Sequence, residues 1–316
     1  MHYGRFAPSP TGRMHLGNVF CALLSWLSVR SRGGQWLLRI EDIDRQRSRQ
    51  EYADWLMDDL HWLGLLWDGE PLYQSRRTEI YEHYFRQLQQ QGLTYQCYCT
   101  RADLMAGNAP HEADGRMVYR GTCRHLPPQP GRQGATRLIA ADTDITCHDG
   151  HYGDISLNMM RDVGDFIIRR KDGSWAYQLA VVIDDALTGI TEVVRGRDLL
   201  SSAPQQMYLA GLLGFGSPQF YHLPLLCNIA GQRLSKRDRS LDMECLRKNF
   251  PAEEIIGRLA CLAGLQADAS PIAAEELVQL FEWNKIPTED IVADAGGIYA
   301  DSGEIVGVKG QNNKKT

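Results

Sequence analysis

The first forty residues constrain the fold most, because they read as a strand, a turn-rich loop, a helix and a second strand. Tyr3 to Ala7 is a short strand candidate. Apolar residues with helical spacing follow His15, until Gly33 and Gly34 interrupt them. Gln35 to Ile40 reads QWLLRI, which is typical of a buried strand. A single helix between two such strands joins them in parallel, so the sequence predicts an α/β fold with a parallel sheet.

Composition favours a folded protein of the cytosol. The chain has 316 residues, of which 43% are hydrophobic, and this is enough for a sizeable core. It contains no run of 18 apolar residues, and its first residues lack the basic-then-apolar layout of a secretory signal. We therefore expect a cytoplasmic protein without a membrane partner, whose eight cysteines are mostly reduced.

Charge is distributed unevenly along the chain. Residues 251–316 hold 5 Lys and Arg against 11 Asp and Glu, whereas residues 1–250 hold 29 against 28. The net charge of -5 excludes a uniformly basic DNA-coating protein. Basic residues of the first part form small clusters, for example at residues 45–49, 169–171 and 233–239. Such clusters can bind phosphates, although arginines on a solvated surface give the same pattern.

The remaining segments alternate between helical and extended patterns. We predict helices at 51–66, 76–91 and 202–213, strands at 166–169, 180–183, 191–194 and 223–229, and mostly helix over 239–282. The strands at 166–169 and 180–183 are expected to return to the main sheet. Residues 92–160, with their cysteines, prolines and glycines, are interpreted as an insertion.

The loop between the first strand and the first helix, APSPTGRMHLGN, has the features of a phosphate site. Helix N-termini carry unpaired N–H groups and partial positive charge, which attract phosphate. Gly12 and Gly17 allow close approach of the backbone, and His15 and Asn18 add side-chain donors. A plain turn with a lone histidine is the alternative interpretation.

This string resembles the first signature of class I aminoacyl-tRNA synthetases, in the form used by the glutamyl subgroup. His15 to Asn18 (HLGN) stands where that family has His-Ile-Gly-His, with Asn in place of the last His. The resemblance implies a Rossmann-type catalytic domain that binds ATP, with Mg²⁺, through Pro8, His15, Gly17 and Asn18. It also implies that His15 is catalytic.

A second basic segment, RLSKR at residues 233–237, follows a strand-like run and Gly231. A lysine on such a loop can stabilise the charge that develops on phosphates, whereas a surface basic loop is the alternative. The segment resembles the second class I signature, Lys-Met-Ser-Lys-Ser, with Arg233 at the first position. By resemblance, Arg233 and Lys236 bind ATP and Lys236 is catalytic.

An acidic amino-acid substrate needs cations for its carboxylates and an anion for its ammonium group. Arg5 lies on the first strand and Glu41 at the end of the second, near the edge where α/β sheets bind ligands. The glutamyl subgroup implies a glutamate pocket of Arg5, Ser9, Glu41, Tyr177 and Arg195. Alternatives are a salt bridge of Glu41 with a neighbouring arginine and core packing of Tyr177.

Three cysteines of the insertion, Cys97, Cys99 and Cys123, are candidates for a structural zinc site. The fourth ligand is Tyr119, His111 or His125, and coordination chemistry alone favours a histidine. The spacing Cys-x-Cys…Tyr-x3-Cys resembles the zinc site of shortened members of the glutamyl subgroup, and this resemblance implies Tyr119. Three reduced cysteines without a metal are the alternative.

The resemblance extends to about residue 295 and to these shortened members in particular. Only 79 residues follow Arg237, so we expect no anticodon-binding domain. The expected organisation is a catalytic domain in two halves, 1–91 and 161–238, an insertion at 92–160, a helical portion at 239–294 and a flexible tail at 295–316.

The shortened members imply a specific activity. They activate L-glutamate with ATP without tRNA and then transfer it to queuosine in the anticodon loop of tRNA(Asp). We expect the chain to act as a monomer. Three alternatives are a truncated conventional glutamyl-tRNA synthetase, a synthetase-like binding protein without catalysis and a zinc-dependent nucleic-acid module.

Overall fold

The structure, a computed structural model, describes residues 1–106, 118–127, 129–228, 230–234 and 241–293. Its helices are α1 (Leu16–Arg30), α2 (Gln50–Trp62), α3 (Thr78–Gln90), α4 (Arg101–Ala106), α5 (Tyr177–Leu187), α6 (Ser202–Leu212), α7 (Met243–Asn249), α8 (Ala252–Leu262) and α9 (Ala274–Leu277). Its strands are β1 (Tyr3–Phe6), β2 (Gln35–Ile40), β3 (Leu72–Tyr73), β4 (Thr94–Cys97), β5 (Ala135–Leu138), β6 (Asp144–Asp149), β7 (Gly153–Asn158), β8 (Phe166–Arg169), β9 (Glu192–Gly196), β10 (Gln219–Leu223), β11 (Leu226–Cys227) and β12 (Ile291–Val292). No helix in these ranges is long and apolar enough to cross a membrane.

A parallel arrangement of strands forms the centre of the fold. β2 pairs in parallel with β1 on one side and with β3 on the other. β9 pairs in parallel with β10. It lies beside β1, where the Thr191 backbone N–H donates to the Tyr3 carbonyl at 2.9 Å. The predicted parallel sheet is confirmed, and the carboxyl ends of its strands meet at one edge, where α/β folds bind ligands.

Helix α1 connects β1 to β2 and is buried along most of its length. Leu23, Leu24 and Leu27 are completely inaccessible to solvent. The helix is apolar on all sides because the strands cover one side and C-terminal helices share its hydrophobic cluster, with Leu246 of α7 and Leu277 of α9 fully buried there. Burying each leucine stabilises the fold by about 1.5–3 kcal/mol, so these helices complete the core around the parallel strands.

Residues 94–169 form antiparallel sheets, and here one expectation is wrong. The strand at Phe166–Arg169 exists, but it pairs with β5, which also pairs with β4. It therefore does not return to the main sheet. Asp165 explains this position, since its carboxylate accepts from Tyr95 OH at 2.6 Å and from the Ala140 backbone N–H at 2.8 Å. Pairing partners of this kind depend on distant residues and are not encoded in the strand's own pattern.

Two further extended segments also differ from the prediction. Residues 180–183, predicted as a strand, lie within α5, whose residues Leu179, Ala180 and Ile183 are fully buried. A short apolar run cannot distinguish a buried helix from a strand, so the pattern was ambiguous. The predicted strand at 223–229 is divided, because β10 ends at Leu223, before Pro224, and β11 begins at Leu226.

Candidate active site

A cavity of about 490 Å³ lies at the carboxyl edge of the parallel strands, and we call it the site cavity. It is bounded by the loop between β1 and α1, by the end of β2, by the end of β9 and by the start of α5. Most of the residues predicted from the sequence line it: Pro8, Ser9, His15, Gly17, Asn18, Glu41, Tyr177, Arg195 and Arg233. The fold therefore brings the two signatures and most of the proposed amino-acid pocket together.

His15 begins helix α1 as its N-cap. Its Nδ1 accepts from the Gly17 backbone N–H at 3.1 Å, while the His15 backbone N–H donates to Asn18 Oδ1 at 3.1 Å. This reciprocal capping stabilises the helix start. Because Nδ1 accepts, the ring proton of the neutral imidazole lies on Nε2, the atom that can donate to a phosphate oxygen. A side chain at Gly17 would approach the His15 ring within 3.1 Å, so glycine suits this position.

The second signature begins at the wall of the cavity. Arg233 forms a salt bridge with Asp198, and the Leu234 backbone N–H donates to the Leu226 carbonyl at 2.9 Å. Beyond this segment, the Met243 backbone N–H donates to the Met14 carbonyl at 2.9 Å, so the chain contacts the first signature there as well. The predicted catalytic residue Lys236 lies outside the described residues. Both described flanks of its segment contact the cavity region.

Arg5 does not line the cavity, although the sequence analysis placed it in the pocket. Its guanidinium is buried and pairs with Asp185 through Nε at 3.2 Å and Nη2 at 3.3 Å. Arg39 also pairs with Asp185. Burial disfavours the charged form of Asp185, but the positive charges of Arg39 and Arg5 outweigh it and lower the pKa of the carboxyl. Arg5 therefore supports the floor of the cavity, where its charge is shared with Asp185.

Glu41 lies at the cavity and also forms a salt bridge, so its position fits both interpretations given for it above. It lines the cavity, and its Oε1 accepts from Arg39 Nη2 at 3.2 Å, which is the salt bridge considered above. Burial raises the pKa of Glu41, and the nearby charges of Arg39 and Arg5 offset this only in part. A buried carboxyl of this kind gains from a cationic ligand, because an ammonium group would stabilise its ionised form.

Arg195, like Arg13 and Arg233, lines the cavity. It is buried, and its guanidinium donates to three neutral acceptors: His222 Nε2 at 3.0 Å, Gln206 Oε1 at 2.8 Å and the Leu199 carbonyl at 3.2 Å. Within the described ranges it forms no salt bridge with a carboxylate. Burial lowers its pKa from the usual arginine value, as expected for a desolvated cation. Such a group suits a carboxylate supplied by a ligand.

The other predicted pocket residue at this end is Tyr177. Burial raises the pKa of its phenol, so the side chain is neutral at ordinary pH and can donate a hydrogen bond. It lines the cavity at the first residue of α5, and core packing alone does not describe its position.

Sequence reasoning missed the residues whose contacts hold the predicted site residues in place. Asp185 was not among the predicted site residues, and the contacts of Asp198 and His222 were not anticipated. Each lies on a different element from its partner, up to 180 residues away in the case of Asp185 and Arg5. Polar residues within apolar runs, such as His222 between Phe220 and Leu223, were the available signal.

The cysteine cluster has the geometry of a tetrahedral metal site. The sulfur atoms of Cys97, Cys99 and Cys123 all lie within 4.8 Å of one another. Tyr119 OH is 3.4 Å from Cys97 Sγ and 3.5 Å from Cys99 Sγ. Zinc–sulfur bonds of about 2.3 Å place ligand atoms at similar separations, so the three thiols and the phenol fit zinc. His125 is exposed and outside this group. His111 lies outside the described residues.

Three members of this cluster have shifted pKa values, in different directions. The Cys123 thiol is partly desolvated, but hydrogen bonds, the strongest from Tyr119, lower its pKa to about 7. Burial raises the pKa of Cys99 to about 11 and that of Tyr119 further still. A bound cation would favour the anionic forms of these ligands.

Comparison with known proteins identifies the family. Residues 3–295 match the catalytic domain of tRNA synthetases class I (E and Q). A protein of Nitratidesulfovibrio vulgaris, named glutamyl-Q tRNA(Asp) synthetase, is 45% identical, with coverage of 92% of this chain and 95% of the relative. A protein of the same name from Thiobacillus denitrificans is 49% identical, with coverage of 75% and 78%.

A solved structure agrees with the fold. The crystal structure of a glutamate tRNA ligase from Elizabethkingia meningosepticum, in complex with its amino acid, superposes with a TM-score of 0.78 at 27% identity. The match covers 93% of this chain and 67% of that one. The α/β arrangement described above is thus the glutamyl-tRNA synthetase fold.

Proposed function

This chain belongs to the class I tRNA synthetases for glutamate and glutamine, and within that family we propose that it activates L-glutamate with ATP in the absence of tRNA. It then transfers the glutamyl group to queuosine in the anticodon loop of tRNA(Asp). The relatives named glutamyl-Q tRNA(Asp) synthetase support the choice of acceptor. The observation that carries the proposal is the site cavity, which joins an amino-acid pocket to a phosphate-binding helix start.

The amino-acid end of the cavity suits glutamate. Glu41 offers a carboxylate for the substrate ammonium group, and Arg195 offers a guanidinium for a carboxylate, with Tyr177 beside it. Ser9 lines the same wall, and Arg5 supports it from beneath through Asp185. We propose this set as the glutamate pocket.

The nucleotide end of the cavity suits ATP. The α-carboxylate of glutamate attacks the α-phosphorus, its P–O bond forms and pyrophosphate leaves. The backbone N–H groups at the start of α1 and His15 Nε2 stabilise the phosphate charge, and Pro8, Gly17, Asn18 and Arg233 shape the wall. We propose that Lys236 adds a cation there in the transition state. Mg²⁺ bound with ATP neutralises charge on the phosphate oxygens.

We further propose that Cys97, Cys99, Tyr119 and Cys123 hold a structural zinc ion, since no position of this set is left open for a substrate. Residues 92–160 then form an insertion in the catalytic domain that this ion stabilises. The substrates are those of the translation machinery, so we place the protein in the cytoplasm, where it acts as a monomer.

ATP–pyrophosphate exchange tests the first step. The purified protein is assayed with glutamate, glutamine or aspartate and without tRNA. We expect exchange with glutamate. Exchange that requires tRNA(Glu) would instead indicate a conventional glutamyl-tRNA synthetase, and no exchange under any condition would indicate a binding protein without catalysis.

Transfer to the acceptor is tested with two matched tRNAs. Radiolabelled glutamate is supplied with tRNA(Asp) that carries queuosine and with the same tRNA that carries guanine at that position. We expect labelling of the first tRNA only. Equal labelling of both, or labelling of tRNA(Glu), would refute the proposed acceptor.

A further inference from the structure

A buried row of three side chains connects the insertion to the amino-acid end of the site cavity. Asp149, the last residue of β6, places Oδ2 at 2.6 Å from His222 Nδ1. His222 on β10 places Nε2 at 3.0 Å from Arg195 Nε. The side chains of Asp149 and His222 are completely inaccessible, and Arg195 is 5% exposed.

The contacts of Asp149 fix the orientation of the His222 ring. Its Oδ1 accepts backbone N–H groups from His151 at 3.0 Å, Tyr152 at 2.9 Å and His222 at 3.3 Å. Oδ2 therefore accepts from His222 Nδ1–H, because an ionised carboxylate has no proton to donate. The proton of the neutral ring is thus on Nδ1, and Nε2 presents a lone pair. Burial lowers the pKa of His222, which agrees with a neutral ring.

The lone pair on His222 Nε2 orients the guanidinium of Arg195, because it accepts a hydrogen bond from Nε–H. An arginine has five N–H donors, and His222, Gln206 and the Leu199 carbonyl accept from three of them. Two donors remain for Tyr177 and a ligand. None of the three acceptors is charged, so the positive charge of Arg195 is available to a ligand carboxylate.

The hairpin of β6 and β7, which carries Asp149, packs closely on β10. The Gly150 backbone N–H donates to the Phe220 carbonyl at 2.8 Å, and a side chain at Gly150 would meet the Tyr221 ring at 2.0 Å. The absence of a side chain at Gly150 thus lets the turn after Asp149 approach the strand that carries His222.

We infer that Asp149 and His222 are positioning residues that set the guanidinium of Arg195 for the substrate carboxylate. The insertion thereby determines how tightly and how selectively glutamate binds. This inference rests on the proposed function. It assigns a second role to the insertion, separate from its metal cluster.

The test is a double-mutant cycle of Asp149→Asn and His222→Gln, measured by glutamate-dependent ATP–pyrophosphate exchange. In Asp149→Asn the amide oxygen replaces Oδ1 as the acceptor of three N–H groups, so the amide NH₂ faces Nδ1. The ring proton then moves to Nε2 and opposes the Arg195 N–H. We expect the KM for glutamate to rise by about 10- to 100-fold, as for loss of a hydrogen bond to a charged group, while the KM for ATP stays within about twofold.

Glutamine at position 222 keeps an acceptor for Arg195 and has no tautomers. We therefore expect His222→Gln to change the KM for glutamate by less than about fivefold, and Asp149→Asn to cost little more in that background. A role in folding alone predicts a lower free energy of unfolding for the variants and no selective change in the KM for glutamate. Additive effects, or an equal rise in the KM for ATP, would overturn the inference.

Two further measurements keep the outcomes distinguishable. Nitrogen-15 NMR of the histidine rings, assigned with His222→Gln, should show the Nδ1–H tautomer in the unmodified protein and Nε2–H in Asp149→Asn. An Nε2–H tautomer in the unmodified protein refutes the inference, whether or not the enzyme is active. Asp154→Asn is the matched control, because it removes an exposed partner of His148 in the same hairpin and should leave both KM values unchanged.

Should the unmodified protein show no exchange with any amino acid, the proposed function fails. The inference is then decided by the tautomer and by calorimetric binding of glutamate to the unmodified and Asp149→Asn proteins. Equal affinity of the two proteins for glutamate would overturn it.

Discussion

Asp185 holds the guanidinium of Arg5 with both carboxylate oxygens, at 3.2 and 3.3 Å. The same carboxylate pairs with Arg39, which in turn contacts Glu41. One buried anion therefore compensates two buried cations. Its loss would leave Arg5 without its carboxylate partner and Arg39 paired with Glu41.

We predict that Asp185→Asn lowers the free energy of unfolding by about 3–5 kcal/mol, because it breaks two buried ion pairs and leaves Arg5 without its carboxylate partner. Urea denaturation followed by circular dichroism measures this. Asp54→Asn, an exposed change on α2, is the control and should have little effect. A loss below about 1 kcal/mol for Asp185→Asn would show that the network contributes little.

The same carboxyl predicts a direction for pH dependence. Its pKa is lowered in the folded protein, so its contribution to stability is complete above the ordinary Asp pKa of about 3.9 and is lost as pH falls through the folded value. Asp185→Asn should therefore reduce the slope of stability against pH below about pH 4. Denaturation curves at several acidic pH values check this, and an unchanged slope would contradict it.

His15 allows stability and catalysis to be separated. Asparagine is among the preferred N-cap residues, whereas alanine lacks a cap and costs about 1 kcal/mol. We predict that His15→Asn keeps the unfolding temperature near that of the unmodified protein but lowers kcat for exchange by about 10²-fold, since Nε2 is lost. His15→Ala should lower both. If His15→Asn retains full kcat, the imidazole has no catalytic role.

Lys236 is predicted to act in the transition state. Lys236→Ala should lower kcat for pyrophosphate exchange by about 10²-fold or more. It should raise the KM for glutamate far less. Lys248→Ala is the matched control, since Lys248 is an exposed lysine on α7 that pairs with Glu244. Equal effects on kcat and KM would remove Lys236 from a transition-state role.

For the proposed zinc site of the cysteine cluster we predict one zinc ion per chain, measured by atomic emission on the purified protein. Cys123→Ser should abolish zinc retention, and Tyr119→Phe should weaken zinc affinity by about 10- to 100-fold in a chelator competition. His125→Ala is the control, because His125 is exposed and apart from the cluster. A loss caused by His125→Ala and not by Tyr119→Phe would exchange the two ligand assignments.

Local sequence predicted those parts of the site whose chemistry is contiguous. The strand, loop and helix of residues 3–30 lie where their pattern indicated, and the segment around His15 lines the cavity. Signature motifs are readable because one short segment supplies both the backbone geometry and the functional groups. The same holds for the cysteines on either side of Tyr119.

Contacts between distant elements could not be predicted in this way. The run at 180–183 is apolar because α5 is buried, and its pattern fits a strand equally well. Nothing near Asp149 or His222 in the sequence indicates that they touch, since 73 residues separate them. The resemblance to the glutamyl subgroup placed Arg5 in the pocket, whereas its pairing with Asp185 could not be read from the sequence.

The docking of the β6–β7 hairpin on β10 limits how freely this protein can exchange parts with its relatives. A chimera whose replacement insertion has no aspartate at the position of Asp149 would leave His222 Nδ1–H without its carboxylate acceptor. On our inference, the KM for glutamate would then rise although no residue that lines the cavity had been altered. On our inference, an exchanged insertion therefore has to bring an acceptor for His222 with it if glutamate affinity is to be kept.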